Sequence, residues 1–177
     1  MKKVLHKLVY VSFITILSLA LAVPANAKSP DIPDEEVCYV LMDSKTGRIF
    51  AEQNADRQIR PASLTKILTA IVALENADDL QQEMTVSREA VYDIGRGGMN
   101  IGIMAGETGL TLENMINVML IKSANEAANI IAENLAASRR EYMDMMNRRA
   151  RELGAVNTYF VNPSGKDTEK EDADHFS

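Results

Sequence analysis

Cysteine is almost missing from this chain. Cys38 is the only one in 177 residues, so no intramolecular disulfide can form. It lies in the apolar-rich run Val37-Cys38-Tyr39-Val40-Leu41, where a buried, inert thiol is expected. Tryptophan is absent, and histidine is limited to His6 and His175 near the two ends. That pair supports neither a histidine-based triad nor a histidine-rich metal site, so any catalysis must use other bases.

Positive charge is also short, with 19 Lys and Arg against 25 Asp and Glu. The uncharged, mostly apolar run from Leu8 to Val23 has 16 residues, fewer than the roughly 20 that span a bilayer. Lys2, Lys3 and Lys7 precede it, Pro24 breaks it, and Ala25-Asn26-Ala27 follows as a small-x-small cleavage site. Residues 1–27 therefore read as a secretory signal peptide, with an uncleaved membrane anchor as the rival. The mature chain would then work outside the cytoplasmic membrane, in the cell envelope or the extracellular space. Cys38 does not directly follow the cleavage site, so it is not a lipid-attachment cysteine. Cleavage removes three lysines and no acid, leaving 16 basic against 25 acidic residues, a formal charge of −9. Such a balance argues against nucleic acid as a partner.

Strand-forming sequence is scarce. Residues 28–36 look like an extended leader. Cys38–Met42 and Arg48–Glu52 read as two strands joined by the turn Asp43-Ser44-Lys45-Thr46-Gly47, and Val156–Val161 is strand-like before the turn Asn162-Pro163-Ser164-Gly165. An isolated hairpin is marginal, so the sheet inventory looks incomplete. Helices dominate instead. A nearly all-apolar, hence buried, helix is expected from Ser63 to about Asn76, and a short one within 85–93. Thr111 caps an amphipathic helix bearing Leu112, Met115, Ile116, Met119 and Leu120. Another runs from about Asn125 to Ala136. A last one begins at Ser138, whose partner Glu141 completes a capping box, buries Tyr142, Met145, Met146, Ala150 and Leu153, and stops at Gly154. The stretch 95–105, with Gly95, Gly97, Gly98 and Gly102, is an irregular loop that lacks the strand–glycine–helix context of a phosphate site. Beyond Lys166 the chain is polar, charged and solvated. A hairpin followed by helices gives an α/β (α+β) domain, helices packed on an antiparallel sheet.

Two segments carry chemistry. Of ten serines, only Ser63, in Pro61-Ala62-Ser63-Leu64-Thr65-Lys66, has lysine three positions on. Residues at i and i+3 share a helix face, so an amine can reach a hydroxyl that needs a base to become a nucleophile. The alternative is helix punctuation, with Ser63 as N-cap. Lys66 fits that poorly, since a cation in the first turn opposes the helix dipole; at the lip of an apolar core, desolvation would lower its pKa. The second segment is Lys122-Ser123-Ala124-Asn125-Glu126, between two helices. Ser123-x-x-Glu126 is equally a capping box.

Ser-x-x-Lys at a buried helix start, then Ser-x-Asn between two helices in a secreted protein, is the layout of penicillin-recognising serine enzymes. The chain resembles the serine D-alanyl-D-alanine carboxypeptidases, the low-molecular-mass penicillin-binding proteins of the S11 peptidase family. The similarity spans about Val37 to Ser177. It includes Leu41-Met42-Asp43-Ser44-Lys45-Thr46-Gly47-Arg48-Ile49, the segment from Pro61 to Ala70, Ala105-Gly106-Glu107, Ser123 to Ala128, and Phe160-Val161-Asn162-Pro163-Ser164-Gly165.

The resemblance implies a β-lactamase/transpeptidase-like fold and a two-step acyl transfer. Ser63 would be the nucleophile on the penultimate D-Ala carbonyl of a peptidoglycan stem peptide, and Lys66 its general base. Ser123 would relay a proton to the leaving amine, and Asn125 would position the peptide. β-Lactam antibiotics would acylate Ser63 as substrate mimics. No metal or cofactor is implied. One departure matters: the family's Lys-Thr-Gly strand after Ser-x-Asn is absent, and Lys45-Thr46-Gly47 is a decoy in the hairpin turn. The expectation is therefore that 37–177 is the N-terminal portion of such a catalytic domain. It would be truncated before the Lys-Thr-Gly strand and before the C-terminal membrane anchor of the full protein, with inactivity of this portion by itself as an open reading. The rivals are a class A-like β-lactamase, disfavoured because Gly154–Lys166 holds no deacylating glutamate, and a non-catalytic remnant.

Overall fold

A computed structural model describes residues 37–94 and 97–166. The signal-peptide and leader readings, and the charged tail past Lys166, lie outside the described residues. Those residues fall into two compact units divided after Ala55.

The first unit is the hairpin. Strands β1 (Tyr39–Met42) and β2 (Ile49–Gln53) pair antiparallel, Tyr39 opposite Gln53 and Leu41 opposite Ala51. The register slips between Leu41 and Met42, so that Met42 faces Ile49. Asp43 builds the turn: its Oδ1 accepts from both the main-chain N and the Oγ1 of Thr46, and Gly47 takes the positive φ that closes it. The decoy Lys45-Thr46-Gly47 is thus turn chemistry. Cys38 is half-buried, less enclosed than its apolar neighbours suggest. No named strand spans 156–161 among the described residues. Turns at 153–157 and main-chain bonds such as Ala155 N to Ala150 O at 2.9 Å hold that segment against the preceding helix.

The second unit is helical: α1 (Thr65–Asn76), α2 (Arg88–Tyr92), α3 (Leu112–Lys122), α4 (Asn125–Leu135) and α5 (Arg139–Glu152). Helix α4 packs against each of the other four and is buried on every face from Asn125 to Ala132. Its three alanines at 127, 128 and 132 let neighbours approach closely, while Ile130 and Ile131 fill the space between them. Leu68, Val72 and Ala73 of α1, Leu112, Met115 and Met119 of α3, and Tyr142, Met146 and Ala150 of α5 complete one core.

Two helix readings need correction. Helix α1 is not buried all round, since Ile67 and Leu74 are more than half exposed; its covered face packs against α3, α4 and α5. Leu153 is likewise exposed, because α5 ends at Glu152 and its apolar stripe turns outward there, while Met143, which no periodicity singled out, is buried. The caps follow the sequence. Thr111 and Asn114 bond reciprocally at the start of α3, and Ser138 Oγ accepts from Glu141 N at 3.1 Å. Glu141 reaches back one residue further than a capping box requires, to Ala137 N.

Candidate active site

The main chain sets the position of Ser63 before any side chain does. Ala62–Leu64 form a single 3-10 turn ahead of α1, closed by Leu64 N donating to Pro61 O. Ala62 has φ +46, an uncommon conformation for a residue with a Cβ. Gly165 lies against it: a Cβ on Gly165 would collide with the Ala62 carbonyl and come within 2.6 Å of Thr65 Oγ1. Ser63 is therefore not an N-cap. The turn satisfies the local N–H groups, and the Ser63 hydroxyl is exposed and directed elsewhere.

It meets two partners. Ser123 Oγ lies 2.9 Å from Ser63 Oγ, and Lys66 Nζ donates to the same oxygen at 3.3 Å. Ser123 reaches this point because it ends α3 in the left-handed conformation, φ 57 and ψ 30. The Ser123–Glu126 capping box does not form. Ala124 takes the N-cap place of α4 with no side-chain cap bond, which frees the Ser123 hydroxyl for Ser63 and the Glu126 carboxylate for Ile101 N, 2.7 Å away.

Lys66 is 1% exposed. Its ammonium has three N–H groups and uses them on Ser63 Oγ, on Asn125 Oδ1 at 2.7 Å and on the Ser164 carbonyl at 2.7 Å. Burial lowers its pKa from 10.5 to about 8, against an opposing pull from the negative charge of Glu126. An amine so placed is half-deprotonated near pH 8 and can take a proton from the hydroxyl beside it.

The Ser164 carbonyl belongs to a tight Asn162 turn. Asn162 Oδ1 accepts from Ser164 N, Ser164 Oγ and Gly165 N, while Thr69 Oγ1 donates to Pro163 O. Upstream, Asn147 bonds Phe160 through both its carbonyl oxygen and its amide, each at 2.8 Å. The sequence marks 162–165 as a turn and a family segment without a role for the Ser164 main chain, and it places Glu126 only in a capping box. The compact Asn-Pro-Ser-Gly sequence was the available signal for the first. A carboxylate at the second position of a helix, followed directly by small and apolar residues, was the signal for the other.

All four residues singled out from the sequence, Ser63, Lys66, Ser123 and Asn125, therefore converge on one point of the helical unit. The wanted cluster of hydroxyl, amine and carboxamide is assembled from three separated segments, around Ser63, Ser123 and Ser164. No group of three or more His, Cys, Asp or Glu suited to a metal occurs among the described residues.

Comparison with known proteins agrees with this arrangement. Residues 25–175 match the D-alanyl-D-alanine carboxypeptidase family of S11 peptidases. The chain is 30% identical over 167 residues to the D-alanyl-D-alanine carboxypeptidase DacF of Bacillus subtilis (strain 168), covering 93% of this chain and 43% of the relative. The crystal structure of DacD from Francisella tularensis superposes with a TM-score of 0.70 at 31% identity, over 79% of this chain and 33% of that one. A D-alanyl-D-alanine carboxypeptidase from Mycobacterium tuberculosis gives 0.73 at 28%, over 85% and 55%. The chain spans less than half the length of the curated relatives it matches best among these, and the fold they share is the penicillin-binding protein/transpeptidase one.

Proposed function

The chain belongs to the D-alanyl-D-alanine carboxypeptidase family, and we propose that it carries the acyl-transfer half of that family's site. The substrate would be a peptidoglycan stem peptide ending in D-Ala-D-Ala. Ser63 Oγ attacks the carbonyl carbon of the penultimate D-Ala and passes its proton to the unprotonated Lys66 amine. The C–N bond to the terminal D-Ala breaks, and the leaving nitrogen takes a proton through Ser123. Water then attacks the acyl-Ser63 ester, releasing the shortened peptide. Asn125 orients the peptide through the carboxamide N–H groups left over once its oxygen accepts from Lys66. The developing oxyanion would use the Ser63 N–H, a donor of a kind worth about 2.7–4 kcal/mol where one has been removed.

The observation that carries this reading is the double contact on Ser63 Oγ, from a buried amine at 3.3 Å and a second hydroxyl at 2.9 Å. A capped helix start or a structural lysine needs neither. We further propose export through the signal peptide 1–27, work in the cell envelope, and covalent capture of β-lactams at Ser63 as substrate mimics.

The test is to incubate the purified chain with a fluorescent penicillin, beside Ser63→Ala, and to measure D-alanine release from an acyl-D-Ala-D-Ala peptide. Stable labelling that depends on Ser63 is the expected result. A folded chain that takes no label would sink the proposal, and rapid turnover of the antibiotic would point to a β-lactamase instead.

A further inference from the structure

Glu126 is the most deeply buried acid in the described residues, 1% exposed. It stands at the second position of α4, directly after Asn125. Its Oε1 accepts from Ile101 N at 2.7 Å, and its Oε2 is buried with no hydrogen-bond partner. Burying a carboxylate with one oxygen unpartnered is costly, and a purely structural helix start would be served by a small polar cap. The geometry around it shows what the carboxylate does.

The segment 97–101 runs along the start of α4 and is attached to it twice. Asn125 N donates to Met99 O at 2.8 Å, and Ile101 N donates to Glu126. Just ahead of those bonds Gly98 lies so close that a Cβ there would come within 2.9 Å of Asn125 Nδ2 and collide with the Ile94 carbonyl. The strap therefore forms the wall behind the Asn125 carboxamide, whose other end accepts from Lys66. Further along the helix, Asn129 donates to the carbonyls of Ala90 and Asp93, which fastens the chain leading into the strap.

We propose that Glu126 is a positioning residue for the reaction at Ser63. Its carboxylate clamps the strap 97–101 onto α4 and so holds the Asn125 carboxamide in the orientation that Lys66 and the substrate require. The role in the reaction rests on the function proposed above, while the clamp itself stands on geometry alone. A free rotation of the Asn125 amide would turn an N–H toward the ammonium, and the strap prevents it by packing against the Nδ2 side.

The experiment compares Glu126→Ala and Glu126→Gln with the unaltered chain by amide hydrogen exchange at Ile101 and by the rate of acylation with fluorescent penicillin. Gln keeps an acceptor for the Ile101 N–H and Ala does not. Glu126→Ala is expected to speed Ile101 exchange and to slow acylation, each by about tenfold or more, the scale of one hydrogen bond to a charged group. Glu126→Gln should return both to within about threefold of the original. Unchanged Ile101 exchange in the alanine variant, or a glutamine variant as impaired as the alanine one, would overturn the clamp. Should Glu126→Ala not fold, Gly98→Ala disturbs the same strap on the side that faces the Asn125 carboxamide. It is expected to slow acylation with the helix content intact, and normal acylation there would count against the proposal. An unaltered chain that takes no penicillin would remove the reaction at Ser63, while the exchange at Ile101 still decides whether Glu126 holds the strap.

Discussion

Lys66 Nζ donates to the main-chain carbonyl of Ser164 at 2.7 Å, joining residues 98 positions apart in the sequence. This bond and the one to Asn125 Oδ1 hold the amine in place whether or not Ser63 is engaged. With burial bringing its pKa to about 8, the amine is mostly protonated at neutral pH. The proposed base is the neutral form. Acylation of Ser63 is thus expected to climb by about tenfold per pH unit below that value and to level off above it. Stopped-flow labelling with a fluorescent penicillin measures the profile, and a flat one would exclude Lys66 as the base.

Ser123→Ala tests the second contact on Ser63. Among the described residues the hydroxyl bonds Ser63 Oγ, and its loss leaves the half-buried turn intact. Melting should therefore change little. Acylation is expected to fall by roughly 10²-fold, the lower range for removal of a proton-transfer group. A variant with normal acylation would reduce Ser123 to a structural neighbour.

Gly165→Ala tests the approach of the Ser164 turn to the 3-10 turn that holds Ser63. Gly165 has φ +72 and no room for a Cβ beside the Ala62 carbonyl. Overpacking and the strained φ together should cost about 2–4 kcal/mol. Since 1 kcal/mol moves the melting point by roughly 2–4 °C at this chain length, thermal denaturation resolves it easily. Retention of the original melting point would mean that the two loops separate freely.

Asn147→Ala removes both bonds to the buried Phe160 main chain. Each of the two bonds is worth about 0.5–1.5 kcal/mol, so a loss of about 1–3 kcal/mol is expected in chemical denaturation. The segment 160–165 then loses its upstream anchor, and acylation should fall as the Ser164 carbonyl drifts from Lys66. A destabilised variant with unaltered acylation would show that the Asn162 turn is held by its own bonds alone.

Much of the helical unit was legible because helix starts are decided by neighbours in sequence. Thr111 and Asn114, or Ser138 and Glu141, are three residues apart and find each other in any helix that forms there. The buried stripe of α3 was readable in the same way, except at Leu120, which the 3.6 period places near the edge and the fold leaves half exposed. The strand assigned to 156–161 failed for the opposite reason. A strand needs a partner edge along its length. Here the segment starts in tight turns, Val156 N donating to Gly154 O and Thr158 N to Ala155 O, Tyr159 is its one bridge residue, and the Asn147 side chain of α5 bonds the main chain of Phe160.

By itself, the sequence determined the Ser63–Lys66 pair, since three residues at the start of a helix bring hydroxyl and amine together through backbone geometry alone. It also pointed to a desolvated Lys66 through the apolar residues that follow it, although the enclosure itself comes from the long-range packing of Asn125 and Ser164 over the amine. Which other groups reach Ser63 was decided only by tertiary structure. Ser123 was free to cap α4 with Glu126, and local spacing favoured it. Packing of α4 at the centre of the unit set Ser123 in a left-handed turn toward Ser63 and sent Glu126 to Ile101. The same packing brought the Ser164 carbonyl onto Lys66. Hydrogen-bonding groups with several partners within reach choose among them by which arrangement leaves the fewest buried and unpaired, and only the assembled core sets that comparison.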